Sequence, residues 1–496
     1  MSVLGIDVGT STCKGLALDE NGNIIARASL SYAQDVRVED GAAELPAEQF
    51  RDSVFELIRT IADRTQRDPI RAIAFSTHGE TLICVDAQER ALAPAMLSMD
   101  RRCAAEAAEM ADAIGTDRFY RITGTPMHSQ YPAPKIMWIK RRRRDLAQKS
   151  VHYRSTQDYL HGALGVPGYV DYSLASRFGA LDVCNRAWSD EILSCAGLRA
   201  DELSTPVQAG APIGVIPDSI ARDLHLSSGI QLIAGGHDQP CASLGMGARR
   251  KSITVSAGSY ECAAIATDHP LNDARGAKYG LNSYCHVLPD QYVTLAFFAS
   301  GLTVQWFIDR FCRYEKEQAL REGYDVHALL ERMAPPAPTC ICALPHVYGA
   351  MNPEWNENAR MQISGLGADH DIGALYRAIL EGTACELDLN VRVLERLAGE
   401  ISGISISGGG TKSDLWMHLR ADILNREIDA LTGDADASLL GAAMLAGAGC
   451  GMFSNIVQAQ GALKLPRRLW FPANDRRYDA QKAAYLALHR PSLLDD

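Results

Sequence analysis

No apolar run in this chain is long enough to cross a bilayer; the longest, such as Leu439 to Phe453, are rich in Gly and Ala and too short. The opening Met1-Ser2-Val3-Leu4-Gly5-Ile6-Asp7 lacks the basic region and apolar core of a secretory leader, so a soluble, cytoplasmic protein is expected. Basic charge is in deficit: 60 acidic against 49 basic residues leave a net charge of −11, which gives nucleic acid or an anionic membrane no electrostatic hold. Thirteen cysteines are present, but they are scattered singly, with no CxxC pair and no Cys/His cluster. They read as reduced, packed thiols rather than disulfides or zinc ligands. The GxxxxGK[ST] phosphate loop and the GxGxxG dinucleotide fingerprint are both absent. Small molecules are therefore the expected ligands, bound by other devices.

What the chain does have is length and a repeat. At 496 residues it exceeds one ordinary core, and a 47% hydrophobic content fills two. Val3 to Val8 alternates like a strand, turns at Gly9-Thr10-Ser11-Thr12, and resumes with Gly15-Leu16-Ala17-Leu18, which is a hairpin pattern. The run from Ile253 to Cys262 has the same design. Superposing the two pairs Asp7 with Ser256, Gly9 with Gly258, Thr10 with Ser259 and Cys13 with Cys262, an offset of 249 residues. A repeat at half the chain suggests two homologous domains, 1–246 and 247–496, that meet where Gly245, Gly247 and Arg249-Arg250-Lys251 break the pattern. Strand-like runs (Ile70 to Ser76, Gln231 to Ala234) alternate with helical ones (Leu375 to Leu397), which indicates α/β architecture in both. The basic block Lys140 to Arg144 reads as the solvated end of a helix.

Four segments carry chemistry. In Asp7-x-Gly9-Thr10-Ser11-x-x-Lys14, small residues let backbone N–H groups approach phosphate oxygens, the hydroxyls and Lys14 add donors, and Asp7 can hold Mg²⁺. Ser256-Ala257-Gly258-Ser259 mirrors it from the second half. Asp238, after Gly235-Gly236-His237, stands where a substrate can come close, and its carboxylate can take a hydroxyl proton or touch the metal; His237 reads as structural. The strand Ile404 to Ser407 runs into Gly408-Gly409-Gly410 and a helix starting near Lys412, a junction on which a flat base can lie against bare backbone.

Taken in order, these motifs resemble the FGGY carbohydrate kinases, the group of xylulokinase, glycerol kinase, gluconokinase and fuculokinase, from residue 3 to about residue 450. Gly301-Leu302-Thr303-Val304-Gln305-Trp306, Asn352-Pro353-Glu354-Trp355 and Leu440-Gly441-Ala442-Ala443 add to the match. The resemblance implies two ribonuclease H-like domains of the actin and hexokinase type around a central cleft. The first would hold the sugar and the catalytic base, the second mainly ATP. By motif, nucleotide contacts fall on Gly9, Thr10, Ser11, Lys14, Gly258, Ser259, Gly301, Gln305, Gly409, Gly410 and Ser413. Substrate contacts fall on His78, Gly79, Glu80, Asp100, Gln130, Asp238 and Gln239. Mg²⁺ falls on Asp7 and Asp238, and Asp238 is the catalytic base.

Two departures stand out. Ser98 replaces the tryptophan of the family's Trp-x-Asp-x-Arg segment, and Gly349-Ala350-Met351 replaces Gly-Glu-Arg. The first bears on the sugar, the second leaves the chemistry intact. The expected activity is transfer of the ATP γ-phosphate to a hydroxyl of a ketose such as a pentulose. The polyol alternative is a glycerol or tetritol kinase; the polar set His78, Glu80, Asp100, Asp238 and Gln239 is generous for three-carbon glycerol, which favours a sugar of four to six carbons. A catalytically silent sugar-binding regulator and an actin-like filament ATPase are the readings from other classes, and retention of Asp7, Asp238 and His78 to Glu80 argues against both. Sugar and ATP are the partners expected, with a homodimer left open.

Overall fold

The computed structural model describes residues 1–32, 36–433, 436–473 and 476–489. Ser2–Val8 (β1) is apolar on both faces, and Val3, Leu4, Ile6 and Val8 are fully buried. A strand without a polar face must be covered on both sides, and β1 sits at the middle of a sheet. Thr12–Asp19 (β2) and Ile24–Ser31 (β3) extend it as an antiparallel meander. Ile70–Thr77 (β4) and Gln231–His237 (β5) add in parallel on the other side, so the order is β5-β4-β1-β2-β3 with Pro212–Val215 as an antiparallel edge.

The second sheet repeats this order. Ser252–Ala257 (β6) is central, Tyr260–Thr267 (β7) and Tyr292–Ala299 (β8) form the meander, and Gly403–Ser407 (β9) and Ile428–Leu431 (β10) run parallel to β6. Asn282–Cys285 and Arg467–Trp470 add one edge each. The paired hairpins read from the sequence are thus the central strands of two equivalent sheets. One detail differs. Asp7 stands across from Lys14 and Ser256 across from Cys262, so the second turn is one residue shorter and Cys262 takes the place of Lys14, not of Cys13.

Helices cover the sheets: Ala47–Arg64 (α1) on the first, and Ile372–Ala398 (α4) with Asp414–Leu424 (α5) on the second. Asp238–Gly245 (α2) follows β5, Gly301–Phe311 (α3) follows β8, and Asp479–His489 (α7) packs on the second half. Lys140 to Arg142 do end a helix, Pro132–Arg142, with Lys140 paired to Glu202 and Arg141 to Glu109. All thirteen cysteines are free, and only Cys184 and Cys340 are exposed. No helix of the described residues is long and apolar enough to cross a membrane.

Ala437–Gly449 (α6) decides how the two halves meet. Ten of its thirteen residues are buried, and a helix apolar on every side belongs in an interior. Although it follows β10 in sequence, it packs on β1, β4 and β5 of the first sheet and crosses α2. The division at residues 246 and 247 stands as our proposal for the two domains, and α6 crosses it in space. Backbone meets backbone at both contacts. A Cβ on Gly5 of β1 would lie 2.5 Å from the Ala443 nitrogen, and one on Gly441 of α6 would overlap the Cys241 carbonyl of α2. Gly441→Val should therefore destabilise the protein by about 1–3 kcal/mol through overpacking, read as a lower melting temperature. An unchanged melting temperature would mean that the crossing is not held by this contact.

Candidate functional site

A cleft of about 810 Å³ opens between the ends of the two central hairpins. Of the residues marked in the sequence, Asp7, Lys14, Asp238, Gln239, Gly258 and Gly409 line it. Asp7 is at the C-terminal end of β1, where its Oδ1 accepts a 2.6 Å hydrogen bond from the Ser76 hydroxyl of β4. Asp238 is the first residue of α2, directly after β5. Asp436 precedes α6 and binds Lys14 Nζ at 2.6 Å. The two glycine contacts of α6 are what bring these three carboxylates to one place.

Their electrostatics are those of crowded acids. Burial, then Asp436, pushes Asp7 up to about 6. Burial, then Asp7 and Glu80, pushes Asp238 up to about 8. About a third of the Asp238 side chain remains open to the cleft, yet its Oδ1 is enclosed and accepts no hydrogen bond among the described residues. His237 Nε2 is 3.2 Å from that oxygen without the alignment of a hydrogen bond. Burial, then Arg177, pushes His237 down to about 3, so it is a neutral ring, tied at Nδ1 to the Tyr284 hydroxyl at 2.7 Å. An orphaned buried oxygen beside a second raised carboxylate is a donor set suited to a hard divalent cation.

Of the nucleotide candidates, Gly9, Thr10 and Ser11 form the β1–β2 turn, half-buried, with the Tyr32 hydroxyl donating to the Gly9 carbonyl. Gly258 and Ser259 form the exposed β6–β7 turn, onto which the start of α3 docks: Gly301 N–H donates to Gly258 O at 3.2 Å and Leu302 N–H to Ser259 O at 2.9 Å. Gln305, one turn into α3, is exposed and bonds Asp309. Gly408 has φ of 108° and sits against the Ala257 carbonyl, a place for glycine alone. Gly409 and Gly410 form a short 3₁₀ turn ahead of α5. Ser413 caps α5, accepting from Trp416 N–H at 3.0 Å, so the helix begins at Asp414.

The sugar-side candidates follow β4. His78 is buried with both ring nitrogens engaged, Nδ1 with Val8 O at 2.9 Å and Nε2 with Thr81 Oγ1 at 2.6 Å. Gly79 faces Arg177 and His237, and a Cβ there would lie 3.1 Å from each. Glu80 holds φ of 61°, rare for a non-glycine residue, and binds Arg177 Nε at 2.6 Å. Burial works against its charge, but the Arg177 guanidinium holds it below the usual carboxylate range. Asp100 is fully buried and turned to Arg102 and the Ala43 N–H; like His78, Gly79 and Glu80, it and the half-buried Gln130 do not line the cleft. The buried Lys135 donates to Glu80 O at 2.6 Å and Leu97 O at 2.7 Å, which fixes the segment.

Sequence reasoning missed Arg177 and Asp436. Arg177 sits in Ser176-Arg177-Phe178-Gly179, 97 residues from its partner Glu80, and no spacing rule marks it. Asp436 had a usable signal, an acid just ahead of the apolar helix that contains Leu440-Gly441-Ala442-Ala443.

Comparison with known proteins identifies the family. Residues 2–245 match the N-terminal domain, and residues 253–450 the C-terminal domain, of the FGGY family of carbohydrate kinases. A gluconokinase of Bacillus subtilis is 28% identical over 457 residues, covering 89% of this chain and 86% of that protein. A xylulose kinase of the same organism is 24% identical over 457 residues, covering 92% and 89%. The crystal structure of a xyloylose kinase from Brucella ovis superposes with a TM-score of 0.88 at 24% identity, over 99% of both chains. The fold is thus the two-domain α/β fold of these kinases, and the chain belongs to the FGGY family of carbohydrate kinases, as a phosphotransferase acting on a sugar hydroxyl.

Proposed function

We propose that this kinase transfers the γ-phosphate of ATP to a hydroxyl of a neutral ketose of four to six carbons, a pentulose first among them, with Asp238 as general base. The observation that carries the base is the enclosed, unbonded Oδ1 of Asp238 beside Asp7 at the floor of the cleft. In its ionised form Asp238 accepts the proton of the sugar hydroxyl as that oxygen forms its bond to the γ-phosphorus and ADP leaves. The bare backbone of Gly258 and Gly409 suits a nucleotide lying between the sheets, and Lys14 supplies positive charge on the phosphate side. Mg²⁺, which Asp7 and Asp238 would hold, neutralises phosphate charge when bound. Closure of the two halves excludes water from the transfer.

The neutral-sugar reading rests on Arg177. Its Nε and Nη2 are taken by Glu80 and its Nη1 by Asn282 at 3.2 Å, and Tyr131 and Tyr284 cover its faces at 5.2 and 5.0 Å. A sugar acid would have to compete with Glu80 for this guanidinium, whereas a hydroxyl can bond Glu80 without displacing it. His78, engaged on both nitrogens, orients the segment. The sugar-acid alternative draws on the relative named gluconokinase.

Asp238→Asn should keep the fold and lose about 10²–10⁴-fold in kcat, measured by coupled ADP release. It should also raise the melting temperature of the ligand-free protein. A folded carboxyl whose pKa is raised stabilises fully only below its unfolded value near 3.8 and loses that contribution as pH climbs to about 8, so the gain from Asn should grow between those limits. Near-normal turnover would remove Asp238 from its role.

A second measurement tests the sugar. Across pentuloses, hexuloses, tetritols, glycerol and gluconate, the unaltered enzyme should favour a neutral ketose. Glu80→Gln should cost about 1.5–3 kcal/mol in kcat/KM for that sugar while narrowing its lead over gluconate. Preference for gluconate in the unaltered enzyme, or an unchanged ranking in a folded Glu80→Gln, would refute the reading.

A further inference from the structure

We propose that His346, Glu386 and His489 form a binding site for one transition-metal cation, zinc by the chemistry of its donors. None of the three lines the cleft, and the proposed kinase chemistry uses none of them. His346 lies just beyond the strand Cys342–Leu344, Glu386 at the middle of α4, and His489 at the end of α7. All three side chains are buried, with 6%, 1% and 1% of their surfaces exposed.

The geometry is that of ligands around a shared point. One donor atom from each residue can be chosen so that all lie within 4.8 Å of one another. Nε2 of His346 is 3.4 Å from Oε2 of Glu386, and Nε2 of His489 is 3.6 Å from Oε1. His346 Nε2 and Glu386 Oε2 share a hydrogen bond, longer than the roughly 2.7–2.9 Å to which charge-assisted bonds close. Zinc ligands at about 2.0–2.1 Å in a tetrahedron stand about 3.3 Å apart, near the distance of each imidazole from its own Glu386 oxygen, Oε2 for His346 and Oε1 for His489. The imidazole centroids are 5.0 Å apart with planes at 88°, which lets both rings aim at one point without stacking. Oε1 of Glu386 is buried and accepts no hydrogen bond among the described residues.

The surrounding groups fit the same reading. Nδ1 of His489 is 3.4 Å from Oε2 of Glu354, the carboxylate-behind-imidazole relation that leaves Nε2 as the ligand atom. The Tyr485 hydroxyl donates to Oε2 of Glu386 and holds that carboxylate in place. A dication would balance the charges of Glu386 and Glu354 when both imidazoles are neutral. Two nitrogens and a carboxylate oxygen select zinc over magnesium or calcium, which take oxygen ligands. With the ion bound, α7 would be tied to α4 and to the chain after residue 344.

The test uses the full-length, tag-free protein, stripped with chelator and dialysed against micromolar zinc in millimolar magnesium, which keeps the cleft carboxylates occupied. The unaltered protein should retain about one more equivalent of zinc than His489→Asn, consistent with the three-ligand geometry. Its melting temperature should rise with zinc, and that of the variant should not. Glu386→Gln should behave like His489→Asn; if Glu386→Gln fails to fold, His489→Asn, at the end of the last described helix, decides alone. Equal zinc content and an equal melting response in the unaltered protein and His489→Asn would overturn the proposal.

Discussion

Backbone contact without side chains between them, α6 against β1 at Gly5 and against α2 at Gly441, is the constraint on which the rest of this molecule depends. It lets a helix from late in the chain sit on the first sheet, and it sets the distance between Asp7 on β1, Asp238 on α2 and Asp436 ahead of α6. Larger residues at either glycine would push the elements apart and dilute the charge that collects there. The interior of the first sheet and the acidity of the cleft are consequences of one packing arrangement.

That arrangement is costly to the ligand-free protein. Two of the three carboxylates are raised well above their ordinary range, and one buried oxygen has no hydrogen-bond partner among the described residues. Only Asp436 is relieved, by Lys14. Repulsion left in place by folding would be relieved by a cation, which a site of crowded carboxylates favours.

The proposed sugar end is organised differently. There the charges are paired before any ligand arrives: Glu80 with Arg177, Arg177 between two tyrosines, and the Glu80 carbonyl on Lys135. The small Gly79 admits the guanidinium from a distant segment instead of carrying a bulky group itself. Pairing of this kind discriminates by what it refuses. In the proposed reading a second carboxylate would compete with Glu80 for Arg177, whereas a hydroxyl would meet an acceptor already oriented.

Much of this was legible in the sequence. The apolar β1, the two hairpins and the glycine junction after β9 follow from local rules, because strand alternation, turn chemistry and the need for small residues near phosphates act over a few neighbouring residues. The family resemblance rested on those same short motifs. Other features were beyond local rules. Nothing within reach of His78 told that both its nitrogens would be consumed by Val8 and Thr81, or that Asp100 would turn to Arg102. The shorter second turn, which puts Cys262 rather than Ala263 opposite Ser256, is invisible until the strands are paired. The sequence by itself determined which segments become strands, turns and glycine-lined junctions. Only the tertiary structure decided which charges meet, Glu80 with Arg177 across 97 residues and Lys14 with Asp436 across 422, because such pairs are set by where whole elements pack and not by any spacing along the chain.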